Sequence, residues 1–196
     1  MRGNEQQTDP LHDARREQIK TAALKVFAEK GIAGAKMSMI AAEAGISQGL
    51  SYRYFSSKEE LFTILVKEAM EEARSAFANV KRLPGTPKEQ LTALSRTMLE
   101  ADHAPFFLLL QQVQTSAEVP AEAKAIIEQN PPSEMMGQLL PLFIKGQQLG
   151  EFSPGDPERL LFLYFSVLTG LMLQAGQTVP GYWQQDVERL MKIILP

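Results

Sequence analysis

Between Ser47 and Lys58 the chain carries a dense run of side chains suited to reading a polar edge. Gln48, Gly49, Leu50, Ser51, Tyr52, Arg53 and Tyr54 are consecutive, and Ser56-Ser57-Lys58 follows directly after Phe55. Gln and Arg present paired hydrogen-bonding groups that match base edges two at a time, and hydroxyls reach bases or phosphates. A glycine beside the start of a helix removes a side chain, so a phosphate can approach free backbone N–H groups. Lys58 is placed to hold a second phosphate. All of this chemistry is non-covalent, with no cofactor and no metal in it.

Catalytic chemistry finds no such support. The chain has no cysteine, and its two histidines, His12 and His103, are far apart. Disulfides and thiolate metal sites are thereby excluded, and a histidine-rich metal site is not expected. No Ser-His-Asp, Cys-His, paired-carboxylate or phosphate-loop arrangement stands out, so the chain is not read as an enzyme.

The elements that must position these residues are two short helices around a tight turn. The first is expected over about 38–44, with Ile40, Ala41 and Ala44 at helical spacing. Gly45 takes the left-handed position that ends it, and Ile46 points back to the core. Ser47 caps the second helix, expected over about 48–55, by accepting from an N–H two or three residues on. This is the helix-turn-helix plan, whose second helix enters the DNA major groove. Ahead of it, Ile19, Ala22, Ala23, Val26 and Phe27 form an amphipathic stripe that predicts a helix over about 11–30, stopped by Gly31.

The run Ile40-Ala41-x-x-Ala44-Gly45-Ile46-Ser47-x-Gly49-x-x-Tyr52-x-Tyr54-Phe55-x-x-Lys58-Glu59-Glu60-Leu61 resembles the DNA-binding signature of TetR-type repressors. The preceding helix fits too, with Ile19, Ala22, Ala23, Phe27 and Gly31, so the resemblance covers about residues 15 to 65. It departs from the family pattern in two places. Lys36 stands where the family has Ser or Thr, which leaves capping and phosphate contact to Ser38 or to the lysine itself. Leu50 then Ser51 stands where a polar then an apolar residue is usual. Leu50 either packs inward in place of the residue at 51 or faces DNA and meets a thymine methyl.

Charge divides along the chain. Residues 1–67 hold ten Lys/Arg and eight Asp/Glu, and the remainder ten and fifteen, giving +2 and −5 within a net −3. A small basic head on an acidic body fits this better than broad wrapping of nucleic acid. Hydrophobic content of 44% permits a packed core. The stretch 1–10 is polar and expected to be disordered, with no signal peptide, so a cytoplasmic location is the expectation.

Beyond the reading pair the chain reads as helices throughout. A long one starts at Ser57 and runs to about 81. The next is capped at Thr86-Pro87. Others start near His103 to Pro105, at Pro120, and at Ser133, the last of these running to Leu149. A further long helix opens at Asp156-Pro157 and runs to about 177, and a last one spans about 183–195. The apolar run Leu160–Ala175 is shorter than the roughly 20 residues of a membrane span and is read as a helix buried on most faces. The expected fold is all-α, with about nine helices. It has a three-helix DNA-binding domain at 11–56 and an effector-binding and dimerisation domain at 57–196. The last two helices are too apolar for one small body to cover, so a twofold dimer through them is expected, as the resemblance also implies.

In the body, Met98, His103, Phe106, Phe107, Leu110, Gln111, Met136, Leu140, Phe143, Phe162, Phe165 and Met172 are candidates to line an effector pocket, with His103 and Gln111 as polar anchors. The DNA-contact candidates are Lys36, Ser38, Ser47, Gln48, Gly49, Leu50, Ser51, Tyr52, Arg53, Tyr54 and Lys58. The reading is a ligand-responsive regulator, a repressor that binds a palindromic double-stranded operator as a homodimer. A small apolar or amphipathic effector releases it by shifting the helix after Ser57. The alternative is a regulator whose body meets a protein partner instead.

Overall fold

The computed structural model describes residues 10–100, 103–175 and 182–196, and the described residues form helices and no strand. The expected disordered stretch lies, except for Pro10, outside them. Helix α1 (Pro10–Gly34) buries Ile19, Ala22, Ala23, Val26 and Phe27, the expected stripe. Its helical path breaks where expected, at Gly31, whose φ of 67° and ψ of 167° are open to glycine and strained for other residues.

Helices α2 (Met37–Glu43) and α3 (Gln48–Tyr54) make the reading pair. Gly45 has φ 65°, its N–H donates to Ala42 O, and Ile46 N–H donates to Ala41 O. These two bonds occupy carbonyls that the end of α2 would leave unpaired, and they turn the chain sharply into α3.

Helix α4 (Lys58–Asn79) follows a cap in which the Ser57 hydroxyl accepts from Glu60 N–H at 3.0 Å. Its 22 residues span about 33 Å at 1.5 Å each. Then come α5 (Pro87–Met98), entered through the Thr86–Glu89 capping box, α6 (Ala104–Thr115) and α7 (Ala121–Glu128). The helix expected over 133–149 is divided into α8 (Pro132–Gly137) and α9 (Leu140–Gln148). Pro141 has no N–H to continue the ladder, and the i to i+3 bonds from Gln138 and Leu139 tighten the join. This division adds a short segment to the expected plan without changing it.

Helix α10 (Pro157–Ala175) is capped by Asp156, whose carboxylate accepts from Glu158 and Arg159 N–H. It is not buried on most faces: Phe162, Leu163 and Val167 are 59, 47 and 43% exposed. The last helix is also shorter than expected. Only α11 (Val187–Met191) is α-helical, after a 3-10 turn at Gln184–Asp186. Beyond it, Ser153 N–H takes Ile194 O and the Ser153 hydroxyl takes Leu195 O, which draws the chain end onto the body.

Two hydrophobic clusters hold the described residues together. The first joins α1, α2 and the start of α4 to Leu109 and Val113 of α6 and Ala123 of α7. The second joins Phe77 of α4 to α5, α9, α10 and α11. Helix α4 therefore has one end in each. Among the described residues no helix is long and apolar enough to cross a membrane.

Candidate nucleic-acid interface and body cavity

Helix α3 is set by its inner face. Ser51 is fully buried, and its hydroxyl donates to Gln48 O at 2.8 Å. Phe55 is buried beneath the Arg16 guanidinium, 4.4 Å from the ring centroid. Tyr54 packs on His12 at 4.7 Å and against the first core. With these positions turned inward, helical geometry puts Gln48, Gly49, Tyr52 and Arg53 on the outward face, and all four are exposed. A methyl added at Gly49 would meet nothing within 4 Å. Leu50 is half-buried at the rim, outside both clusters.

The body holds a cavity of about 470 Å³. Its walls come from α4 (Ala69, Met70, Glu72, Ala73, Ala76, Phe77), α5 (Leu94, Thr97, Met98) and α6 (Phe106, Phe107, Leu110, Gln111, Gln114, Thr115). Ile127, Met135, Met136, Phe165, Thr169 and Leu173 are among those that complete it. The lining is mostly apolar, with His103 beside Glu72 (Nδ1 to Oε1, 3.9 Å) and Glu100 (Nε2 to Oε2, 3.8 Å). The same α6 that walls the cavity turns its opposite side to α1. There Gln112 Oε1 accepts from Ile32 N–H at 3.1 Å and Nε2 donates to Phe27 O at 2.8 Å.

Residues 19–63 match the family model described as bacterial regulatory proteins, tetR family. In that stretch the chain is similar to the DNA-binding segment of tetR-family regulators. It is 30% identical over 115 residues to the HTH-type transcriptional regulator BetI of Rhizobium meliloti (strain 1021), covering 56% of this chain and 57% of that protein. It is 29% identical to the fatty acid metabolism regulator protein of Bacillus subtilis (strain 168), over 73% of each chain. The chain spans about half the length of the first curated relatives it matches. In fold it is similar to the ketosteroid transcriptional regulator KstR2 of Mycobacterium tuberculosis, with a TM-score of 0.73 at 21% identity over 93% of this chain and 95% of that one.

Against the tetR-family pattern, three of the expected DNA-contact residues are committed elsewhere. Ser51 is inside, so it offers nothing to a duplex. Lys58 Nζ donates to Ile32 O at 2.7 Å and Ala35 O at 3.0 Å, closing carbonyls left open where α1 breaks. Tyr54 is largely a packing residue. Ser47 caps α3 by accepting from Leu50 N–H. Lys36 stands at the cap position of α2 without a side-chain cap bond, and it and Ser38 are exposed near the start of that helix.

Of the twelve effector candidates, Met98, His103, Phe106, Phe107, Leu110, Gln111, Met136 and Phe165 line the cavity. The other four do not. Phe143 is stacked on Phe152 at 4.5 Å, Met172 is buried in the second core, Leu140 packs against that core, and Phe162 faces outward. The walls from α4 were missed. Ala69, Ala73 and Ala76 with Met70 and Phe77 repeat at helical spacing, and that small-residue stripe was the available signal.

Proposed function

We propose that the chain is a DNA-binding transcriptional regulator whose affinity for an operator is set by a small molecule in the body cavity. The observation that carries the first half is the outward face of α3: Gln48, Tyr52 and Arg53 exposed on a helix whose inner face is locked into the core. Arg53 and Gln48 make paired contacts to base edges, Tyr52 reaches a base or phosphate, and Leu50 meets a thymine methyl at the rim. Lys36 and Ser38 reach the flanking phosphates. Two copies about 34 Å apart read a palindrome one DNA turn long.

The second half rests on shared walls. Helix α4 lines the cavity with Ala69 to Phe77, while Leu61, Phe62, Leu65 and Val66 belong to the core of the reading head. Helix α6 does the same, with Phe107, Gln111 and Gln114 toward the cavity, Leu109, Gln112 and Val113 toward the head, and Phe106 and Leu110 touching both. An occupant that favours one placement of these helices biases the spacing of the reading heads, with coupling on the order of 1–3 kcal/mol. The cavity supports a small effector over a protein partner, because about 470 Å³ falls in the range of ligand pockets. Blocking transcription by occupying the operator, and release on effector binding, complete the reading.

The test is operator selection from random duplex DNA with the full chain, followed by gel shift. We expect a palindrome, and expect Arg53→Ala to weaken it by about 1–3 kcal/mol, the worth of a bidentate base contact, with an unchanged melting temperature. Equal affinity of Arg53→Ala and the parent for every selected duplex would remove α3 as the reader.

A further inference from the structure

The cavity's lining assigns a charge class to its ligand. We propose that it takes a lipophilic molecule with a cationic head and disfavours one ending in a free carboxylate. This rests on the effector-cavity reading and sharpens it.

Among the described residues that line the cavity there is no Lys or Arg, and Glu72 is the one carboxylate. A carboxylate moved from water into apolar surroundings loses hydration that only a cation or several donors restore. His103 does not supply that cation. It stands 3.9 Å from Glu72 and 3.8 Å from Glu100, so two carboxylates of the protein already face its ring. Gln111, Gln114 and Asn130 are neutral amides, which donate hydrogen bonds but carry no charge to offset Glu72, and Asn130 Nδ2 already donates to Ile126 O. An anionic head therefore meets Glu72 as a like charge, with no Lys or Arg among the described lining residues to offset it.

A cationic head meets the reverse. The Glu72 side chain is exposed, so an ammonium beside it keeps water while it gains an opposite charge. Phe106 and Phe107 are on the adjoining wall, and Phe77 and Phe165 line it too. Aromatic faces attract a cation and suit an alkyl tail equally. The methionines Met70, Met98, Met135 and Met136 adapt to the tail's shape, so the head group sets the discrimination.

Three probes of one chain length isolate the head: decyltrimethylammonium, decanol and decanoate, each titrated calorimetrically into the full chain below its micellar concentration. We expect the cation to bind about tenfold more tightly than the carboxylate, the combined worth of one exposed attraction, one exposed repulsion and an aromatic contact. The alcohol should lie between them. Glu72→Gln should close the gap, chiefly by weakening the cation, and leave decanol unchanged. Glu158→Gln, an exposed carboxylate at the start of α10, should leave all three unchanged. Decanoate binding as tightly as the cation, or a gap that survives in Glu72→Gln or vanishes in Glu158→Gln, overturns the charge assignment and leaves the cavity reading intact. If none of the three binds, both fall together.

Discussion

Gly49 separates fold from recognition at the scale of one residue. It lies within α3, where alanine is the better helix former by up to about 1 kcal/mol, and an added methyl would meet nothing in the protein. Gly49→Ala should therefore leave the thermal midpoint unchanged or slightly raised. If a phosphate approaches this helix end, the same methyl intrudes and operator affinity falls. Retained affinity in a gel shift would mean that the duplex stays clear of Gly49.

Glu60 makes a second prediction. Its carboxylate accepts from the Ser56 hydroxyl and the Ser56 N–H, and these bonds hold its pKa below the ordinary glutamate value. A depressed carboxylate adds stability that is present above the unfolded pKa and is lost as pH falls through the folded one. Glu60→Gln should thus cost a little stability at neutral pH and nothing once the solution is acid enough to protonate the parent's carboxylate. Chemical denaturation at both pH values checks this, and because the group is solvent-exposed the effect will be small.

The residue scale is also where sequence reading was least complete. The period of α3 was legible, but which side faced inward was not. Leu50 is the apolar neighbour and looked able to pack, yet the backbone turn at Gly45 places Ser51 inside, where Gln48 O satisfies its hydroxyl. Lys58 looked like a phosphate ligand because a local motif cannot display carbonyls some 25 positions upstream.

At the scale of elements, the fold was legible wherever a stripe or a cap recorded it. The break at Gly31, the turn at Gly45 and the box at Thr86 all carry their signals locally. Helix α10 resisted because its sequence is apolar all round, and periodicity then cannot say which side is covered. The join between head and body resisted for a different reason: it depends on Gln112, an ordinary amide in a glutamine-rich stretch. Its side chain replaces a backbone bond where α1 is broken, donating to Phe27 O and accepting from Ile32 N–H. Gln112→Ala should cost about 1–3 kcal/mol, the range for leaving such a group without its partner. Hydrogen exchange at the Ile32 amide should accelerate with it. Wild-type protection of that amide in Gln112→Ala would show that α1 ends stably without α6.

At the scale of the whole molecule, the exposed side of α10 is the surface that needs explaining. Phe162, Leu163 and Val167 project from one helix, and a methyl added at Gly170 would meet nothing within 4 Å. Clustered apolar side chains of this kind mark an association surface, and a twofold axis lets one patch cover its own copy. Helix α11 contributes less to that surface than its sequence suggests, because Val187, Leu190 and Met191 are buried in the protein's own second core. The proposed dimer thus depends chiefly on α10, and a stable one needs about 1,200–2,000 Å² of buried surface in total. Leu163→Arg places a charge on that face from a residue outside both cores, so the subunit should fold with its melting transition intact at low concentration. Near a twofold axis, the charge would meet both apolar surface and its own copy. Sedimentation should then report a monomer at micromolar protein, and affinity for a palindromic operator should drop to that of one half-site. A variant that sediments as a dimer and binds the palindrome undiminished would move the interface off α10. The spacing of the two reading heads would then have to be set by another face of the body.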